Sequence, residues 1–200
     1  MAGRESLLQD APRGVRWERI TKFDPRGAII ADGHYSRRTV GSPQWMPPGE
    51  TLNLLTEDGR ALWGWWRPHP DSGITAMNGL DGWTCTIFRN ESDVKSSLLI
   101  LGAELELVRL GRGCGPSGML TYVWDKKVES PNPGYCFKMA GWEPQGRSAD
   151  NKKTLLHKPF EQAGIDPHPS CYGPDGKGCF IPHDCDGRCA WNPATQVAAA

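Results

Sequence analysis

Four cysteines, Cys171, Cys179, Cys185 and Cys189, crowd the end of the chain, with His168 and His183 nearby. Thiolates and imidazoles are what a zinc ion takes as ligands. A segment this rich in Gly and Pro has almost no apolar side chains with which to build a core, so a metal is its obvious organiser. The intervals of seven, five and three residues differ from the Cys-x2-Cys pairs of familiar zinc ribbons. Structural Zn2+ therefore stands beside two alternatives, a disulfide-bridged or flexible tail and an iron or redox role. A closed four-thiolate site leaves no position for a substrate, and its negative charge argues against the tail as a DNA contact. A second set, His34-Tyr35-Ser36, Asp125 and Tyr135, consists of types that accept, donate or orient protons. Each also has a plain alternative. The first triplet suits a helix-exit loop, Asp125 can start a turn with Lys126 and Lys127, and Tyr135 can pack on Met139.

The elements that would position these groups follow from patterning. Residues 1–13 read as a loose tail, and Gly14 to Ile20 alternates as a strand does. Asp24-Pro25 opens a short helix that Gly33 closes, which delivers His34 at its exit. The proline-rich stretch 41–49 must be loop. Thr51 to Leu55 and Ala61 to Arg67 form a hairpin about Glu57-Asp58-Gly59. In its second arm Trp63 and Trp65 share one face and Trp66 lies on the other with Leu62, so at least one face is core; stacking on a base is the minority reading. Residues 68–81 read as loop and Trp83 to Phe88 as the next strand. Ser92 is a helix cap with Asp93 in the first turn, and the long helix runs to about Leu110. Val94, Leu98, Leu101, Leu105 and Val108 recur at helical spacing, with Leu99, Ile100 and Leu107 outside the stripe, so this helix should be largely enclosed. Met119 to Trp124 is a strand. Asn132 then caps a short helix with Pro133 in its first turn and Gly141 as its left-handed end. Thr154 to Lys158 is the last strand. Cys85, Cys114 and Cys136 read as small buried apolar residues.

Strand, helix, hairpin, strand, long helix, strand, short helix, strand, over roughly 14–158, resembles the order of the GNAT acyltransferases. The resemblance implies an α/β fold with a mixed, largely antiparallel central sheet flanked by helices, followed here by a Cys-rich C-terminal tail over 159–200. In that family a cofactor thioester sits between the short helix and the preceding strands. This chain departs from the pattern twice. Arg89 to Ser97 lacks the glycines that let backbone N–H groups hold the CoA pyrophosphate, and Phe137 stands where many members place a Tyr that protonates the leaving thiolate. His34-Tyr35-Ser36, Arg89, Asp125 at the end of Thr121-Tyr122-x-x-Asp125, and Tyr135 are together similar to the Mom proteins of bacteriophages.

That second resemblance implies a DNA-modifying transferase that converts adenine to an N6-carbamoylmethyl derivative, protecting DNA from restriction, with acetyl-CoA as the suspected donor. It makes His34, Tyr35, Asp125 and Tyr135 the catalytic candidates, Asp125 and His34 as bases toward a poorly nucleophilic amine. Arg89, Ser92, Ser96 and Ser97 would hold the anionic cofactor, and Ser36, Arg37, Arg38 and Trp45 the substrate. The target base would have to leave the stack. The alternatives are a conventional N-acetyltransferase on a small amine or a protein, and a non-catalytic zinc-containing binding module.

Two hundred residues at 38% hydrophobic suffice for one domain and an appendage. No apolar run approaches the roughly 18 residues that span a membrane, and no secretory signal opens the chain, so a cytoplasmic protein with reduced thiols and no membrane partner is expected. Net charge is zero. Residues 1–160 hold 21 basic and 18 acidic groups, and 161–200 hold 2 and 5, so any DNA surface must be local.

Overall fold

The structure, a computed structural model, describes residues 16–69, 72, 79–109 and 117–159. The tail 1–13, Cys114, and the cysteine segment with Cys171, Cys179, Cys185 and Cys189 lie outside the described residues. Within them the fold is α/β, an open and mostly antiparallel seven-stranded sheet with few helices. The strands are β1 (Trp17–Ile20), β2 (Glu50–Thr56), β3 (Ala61–Arg67), β4 (Trp83–Asn90), β5 (Met119–Trp124), β6 (Glu143–Arg147) and β7 (Lys153–Lys158). The helices are α1 (Pro25–Asp32), α2 (Ser96–Arg109) and α3 (Tyr135–Met139). Spatial order is β1-β2-β3-β4-β5-β7-β6, and only β4 and β5 run parallel.

Two apolar clusters sandwich the sheet. Alternation along β3 sends Trp63 and Trp65 into one with Ile100, Ala103, Leu107, Phe137 and Trp142. Leu62 and Trp66 point the other way, into a cluster with Ile30, Ala31, Trp45 and Met46. Both faces of the hairpin arm are therefore core. Trp63 makes an edge contact with Trp65, ring centroids 4.9 Å apart, and Phe137 stands edge-on to Trp142 at 5.2 Å. Such pairs contribute about 0.5–1.5 kcal/mol each beyond burial.

The ends of α1 follow the sequence reading closely. The Asp24 carboxylate accepts from the Arg26 N–H at 2.9 Å, Pro25 opens the helix, and Gly33 caps it. Two other helix starts differ. The long helix begins at Ser96, because Ser92 to Lys95 is occupied by a turn in which the Ser92 hydroxyl donates to Asn90 Oδ1 at 2.7 Å. In α3 the first flanking position is Gly134 at φ 75°, with no side-chain cap. Asn132 instead accepts the Tyr135 N–H on its carbonyl and the Lys138 ammonium on its side chain. The exit is as expected. Gly141 sits at φ 86°, and the Trp142 N–H returns to the Phe137 carbonyl at 3.1 Å. Patterning missed β6, since Glu-Pro-Gln-Gly-Arg carries two poor strand formers; it is fully exposed at the sheet edge, where Pro is tolerated. Among the described residues no helix is long and apolar enough to cross a membrane.

Candidate functional site: the cleft between β4 and β5

The parallel pairing of β4 with β5 stops at Cys85 opposite Thr121, although β4 continues to Asn90 and β5 to Trp124. A bulge explains the divergence. Gly64 pairs with Ile87 and Trp65 with Cys85, so Thr86 is an extra residue that bends β4 away. Gly64 is required there, because a Cβ would meet Met46 Sδ at 2.5 Å and Ile87 Cγ2 at 2.7 Å. The Thr121 hydroxyl donates to the Cys85 carbonyl at 3.1 Å and closes the apex. Beyond it lies a cleft of about 220 Å³ lined by β4, β5, the start of α3, Ser96 of α2, and His34 and Tyr35.

The α1 exit carries His34 and Tyr35 into this cleft, their rings 4.2 Å apart and tilted by 32°. The Ser36 backbone N–H donates to His34 Nδ1 at 3.2 Å, and the Ser36 hydroxyl lies 2.7 Å from the same atom. A backbone N–H can only donate, so Nδ1 is an acceptor and the neutral ring carries its proton on Nε2. Burial, helped by the Arg89 guanidinium, lowers the His34 pKa to about 4. The ring is therefore neutral at pH 7, and its Nε2–H is a donor. Burial raises the Tyr35 phenol, the hydrogen bond between its hydroxyl and the Trp124 backbone opposes the rise, and Cys85, Cys136 and Asp125 add to it. Both neighbours favour a proton donor at this end of the cleft.

The other expected site residues fall into three groups. Asp125 is close enough to act on Tyr35, but its carboxylate accepts from Arg147 at 2.7 Å and Thr154 at 2.9 Å. Burial pushes that carboxyl up, and these hydrogen bonds outweigh it and hold the group below the usual range. It is an anchored anion and a weak base. Arg89 lies beside His34, donating to the Gly33 carbonyl and to Glu91 at 2.5 Å. It ties β4 to the α1 exit. Tyr135 is 55% exposed and does not line the cleft; Gly134, Cys136 and Phe137 do.

The expected diphosphate loop is internally satisfied. Asn90 donates to the Val94 carbonyl at 2.8 Å and Ser96 Oγ at 3.1 Å, and accepts from Ser92. Asp93 is paired with Arg60 at 3.1 Å, and Ser97 is half-buried in the first turn of α2. Arg89, Ser92 and Ser96 thus each have a partner within the protein. Arg37 is also structural, donating to Asp32 at 2.6 Å and to the Gln44 and Ser42 carbonyls. Trp45 is buried in the core, and Ser36 and Arg38 are exposed.

Sequence reasoning overlooked Asn90, Thr121 and Cys136 as lining residues. No local signal marks them, because a bulge opposite Gly64 creates the cleft they face. Among the described residues no cluster of His, Cys, Asp and Glu could hold a metal ion. No family model, no curated protein and no solved structure matches the chain.

Proposed function

We propose that this chain is a GNAT-like transferase that moves a small acyl-derived group onto the exocyclic amine of adenine in DNA, in the manner of the Mom proteins it resembles. The observation that carries this reading is the diverging parallel pair β4 and β5, with His34 and Tyr35 brought between them and the short helix α3 forming one wall. That is where the GNAT resemblance puts a thioester. The order of elements along the chain supports the same reading.

A bound acyl thioester, with acetyl-CoA as the first donor to test, would supply the electrophilic carbon. The chain's own groups have definite parts. His34 Nε2–H is a fixed, neutral donor to an oxygen that gains negative charge. Tyr35 gives its proton to the departing thiolate as the C–S bond breaks and recovers one from the amine as the C–N bond forms, a part that Phe137 cannot play. Asp125, kept anionic by Arg147, keeps the Tyr35 proton in place. The base expected of His34 and Asp125 is thus replaced by donors and a fixed anion. Arg89 positions His34 through the Gly33 carbonyl.

Expression of the protein followed by nucleoside digestion of host DNA and mass spectrometry tests the reading. A modified deoxyadenosine that disappears in the Tyr35→Phe and His34→Ala variants is expected. Unchanged nucleosides, together with no affinity for acetyl-CoA, would overturn it.

A further inference from the structure

We propose that Trp124, Lys126, Lys127 and Lys153 form a shelf at the mouth of the cleft that grips the phosphates of single-stranded nucleic acid. The inference rests on the proposed function for the identity of what enters the cleft. The shelf itself stands on separate observations. Register places Lys153 directly opposite Trp124, and the turn closed by the Lys127 N–H on the Trp124 carbonyl at 2.9 Å folds Lys127 back beside it, with the exposed Lys126 inside the same turn. The Lys127 ammonium lies 5.7 Å and the Lys153 ammonium 5.6 Å from the Trp124 ring. One indole ring thus holds two cations, which lowers the cost of ordering them for an anion.

The charge is not cancelled locally. Among the described residues none of Lys126, Lys127 and Lys153 has a carboxylate within ion-pair distance. Of the nearby acids Asp125 is engaged with Arg147 and Thr154 and Asp150 with Lys152 and Ser148, which leaves the single exposed carboxylate of Glu129 beside three ammonium groups. A molecule of zero net charge therefore concentrates free cations at one place. That place adjoins the cleft, because the Trp124 backbone lies against the Tyr35 hydroxyl and Tyr35 lines the cleft while 38% exposed. Cations that track a backbone beside an aromatic that receives a base are the arrangement single strands require. An acidic peptide would use the cations and leave Tyr35 without a part.

The test is fluorescence anisotropy with a labelled 16-nucleotide single strand and the matching duplex, between 50 and 200 mM salt and with no acyl donor present. Wild-type protein should bind the single strand more tightly than the duplex. Lys127→Ala/Lys153→Ala should bind it at least about tenfold more weakly, and the log–log salt slope should fall by about 1.4, roughly 0.7 for each phosphate no longer neutralised. Lys22→Ala removes a similar ammonium–ring pair, 5.6 Å from Phe23 just after β1, and should change nothing. Unchanged affinity in the double variant, an equal loss in Lys22→Ala, no binding by the wild type at 50 mM salt, or preference for polyglutamate would each overturn the shelf. Because binding is read without chemistry, the two readings fail separately. Normal oligonucleotide binding with unmodified nucleosides faults only the transferase, and adenine modification with an unweakened double variant faults only the shelf.

Discussion

With Nδ1 held by Ser36, the His34 ring keeps one usable group, the Nε2 proton, and keeps it across the physiological range. Nitrogen-correlated NMR should show a pyridine-type Nδ1 and a pyrrole-type Nε2, titrating near pH 4 and not near 6.5. The unfolded chain takes up this proton at its ordinary pKa, the folded one only at about 4, so the unfolded state binds more protons between those values. Folding stability is then full above about pH 6.5, falls as pH is lowered toward 4, and levels off below. Urea midpoints measured across that window should show the decline, and His34→Gln should flatten it. Gln also restores an N–H donor, so H34Q should retain about tenfold more activity than H34A, whereas a base role would leave both equally inactive. The placement of His34 was legible, because Asp24, Pro25 and Gly33 fix where α1 starts and stops. Its protonation was not, because that depends on a backbone N–H two residues on. Arg37 was equally opaque, since carbonyls of its own loop engage its donors.

At the scale of elements, Gly134 decides how α3 meets the sheet. It sits at φ 75°, and a Cβ there would lie 2.7 Å from Leu156 Cδ1 and 3.2 Å from Val123 Cγ2. Gly134→Ala should therefore combine left-handed strain with a clash and cost about 2–4 kcal/mol in urea unfolding. Gly59, at φ 68° with nothing within 4 Å, isolates the first effect, and Gly59→Ala should cost only about 1 kcal/mol. Sequence marked Gly59 as a hairpin turn and Gly141 as a helix end because both follow local rules. Gly134 answers to Leu156, which is 22 positions away, and no local rule shows that. The same holds for the cap assigned to Asn132, whose carbonyl and side chain take other partners. Strand β6 was illegible for another reason. Its pattern is poor because an edge strand with both faces in water needs no alternation.

For the molecule as a whole, a buried ion pair locks the two halves of the cleft's scaffold. The Lys158 ammonium at the end of β7 donates to Glu104 of α2 at 2.5 Å and to the Ala140 carbonyl at 2.8 Å, and Glu104 accepts from Trp142 Nε1 at 2.6 Å. Both charged residues are at most 4% exposed. Lys158→Met should cost about 3–5 kcal/mol by thermal or urea unfolding, with the Glu104→Leu/Lys158→Met pair less damaging than the single change. From sequence the run of elements apart from β6 was visible, but not that β7 lies between β5 and β6, since that order is set by contacts from one end of the fold to the other. The same order determines where main chain is left open. At one border β1 is four residues long and presents Glu18 and Arg19; at the other β6 lacks an N–H at Pro144 and breaks register before Gly146. Both borders discourage recruitment of a foreign strand. The inner rim of β4 past Cys85 has no β5 partner, and its one deterrent is the bulge at Thr86. An extended molecule with amides of its own would be received there as a missing strand, held largely by peptide groups that no side-chain substitution removes.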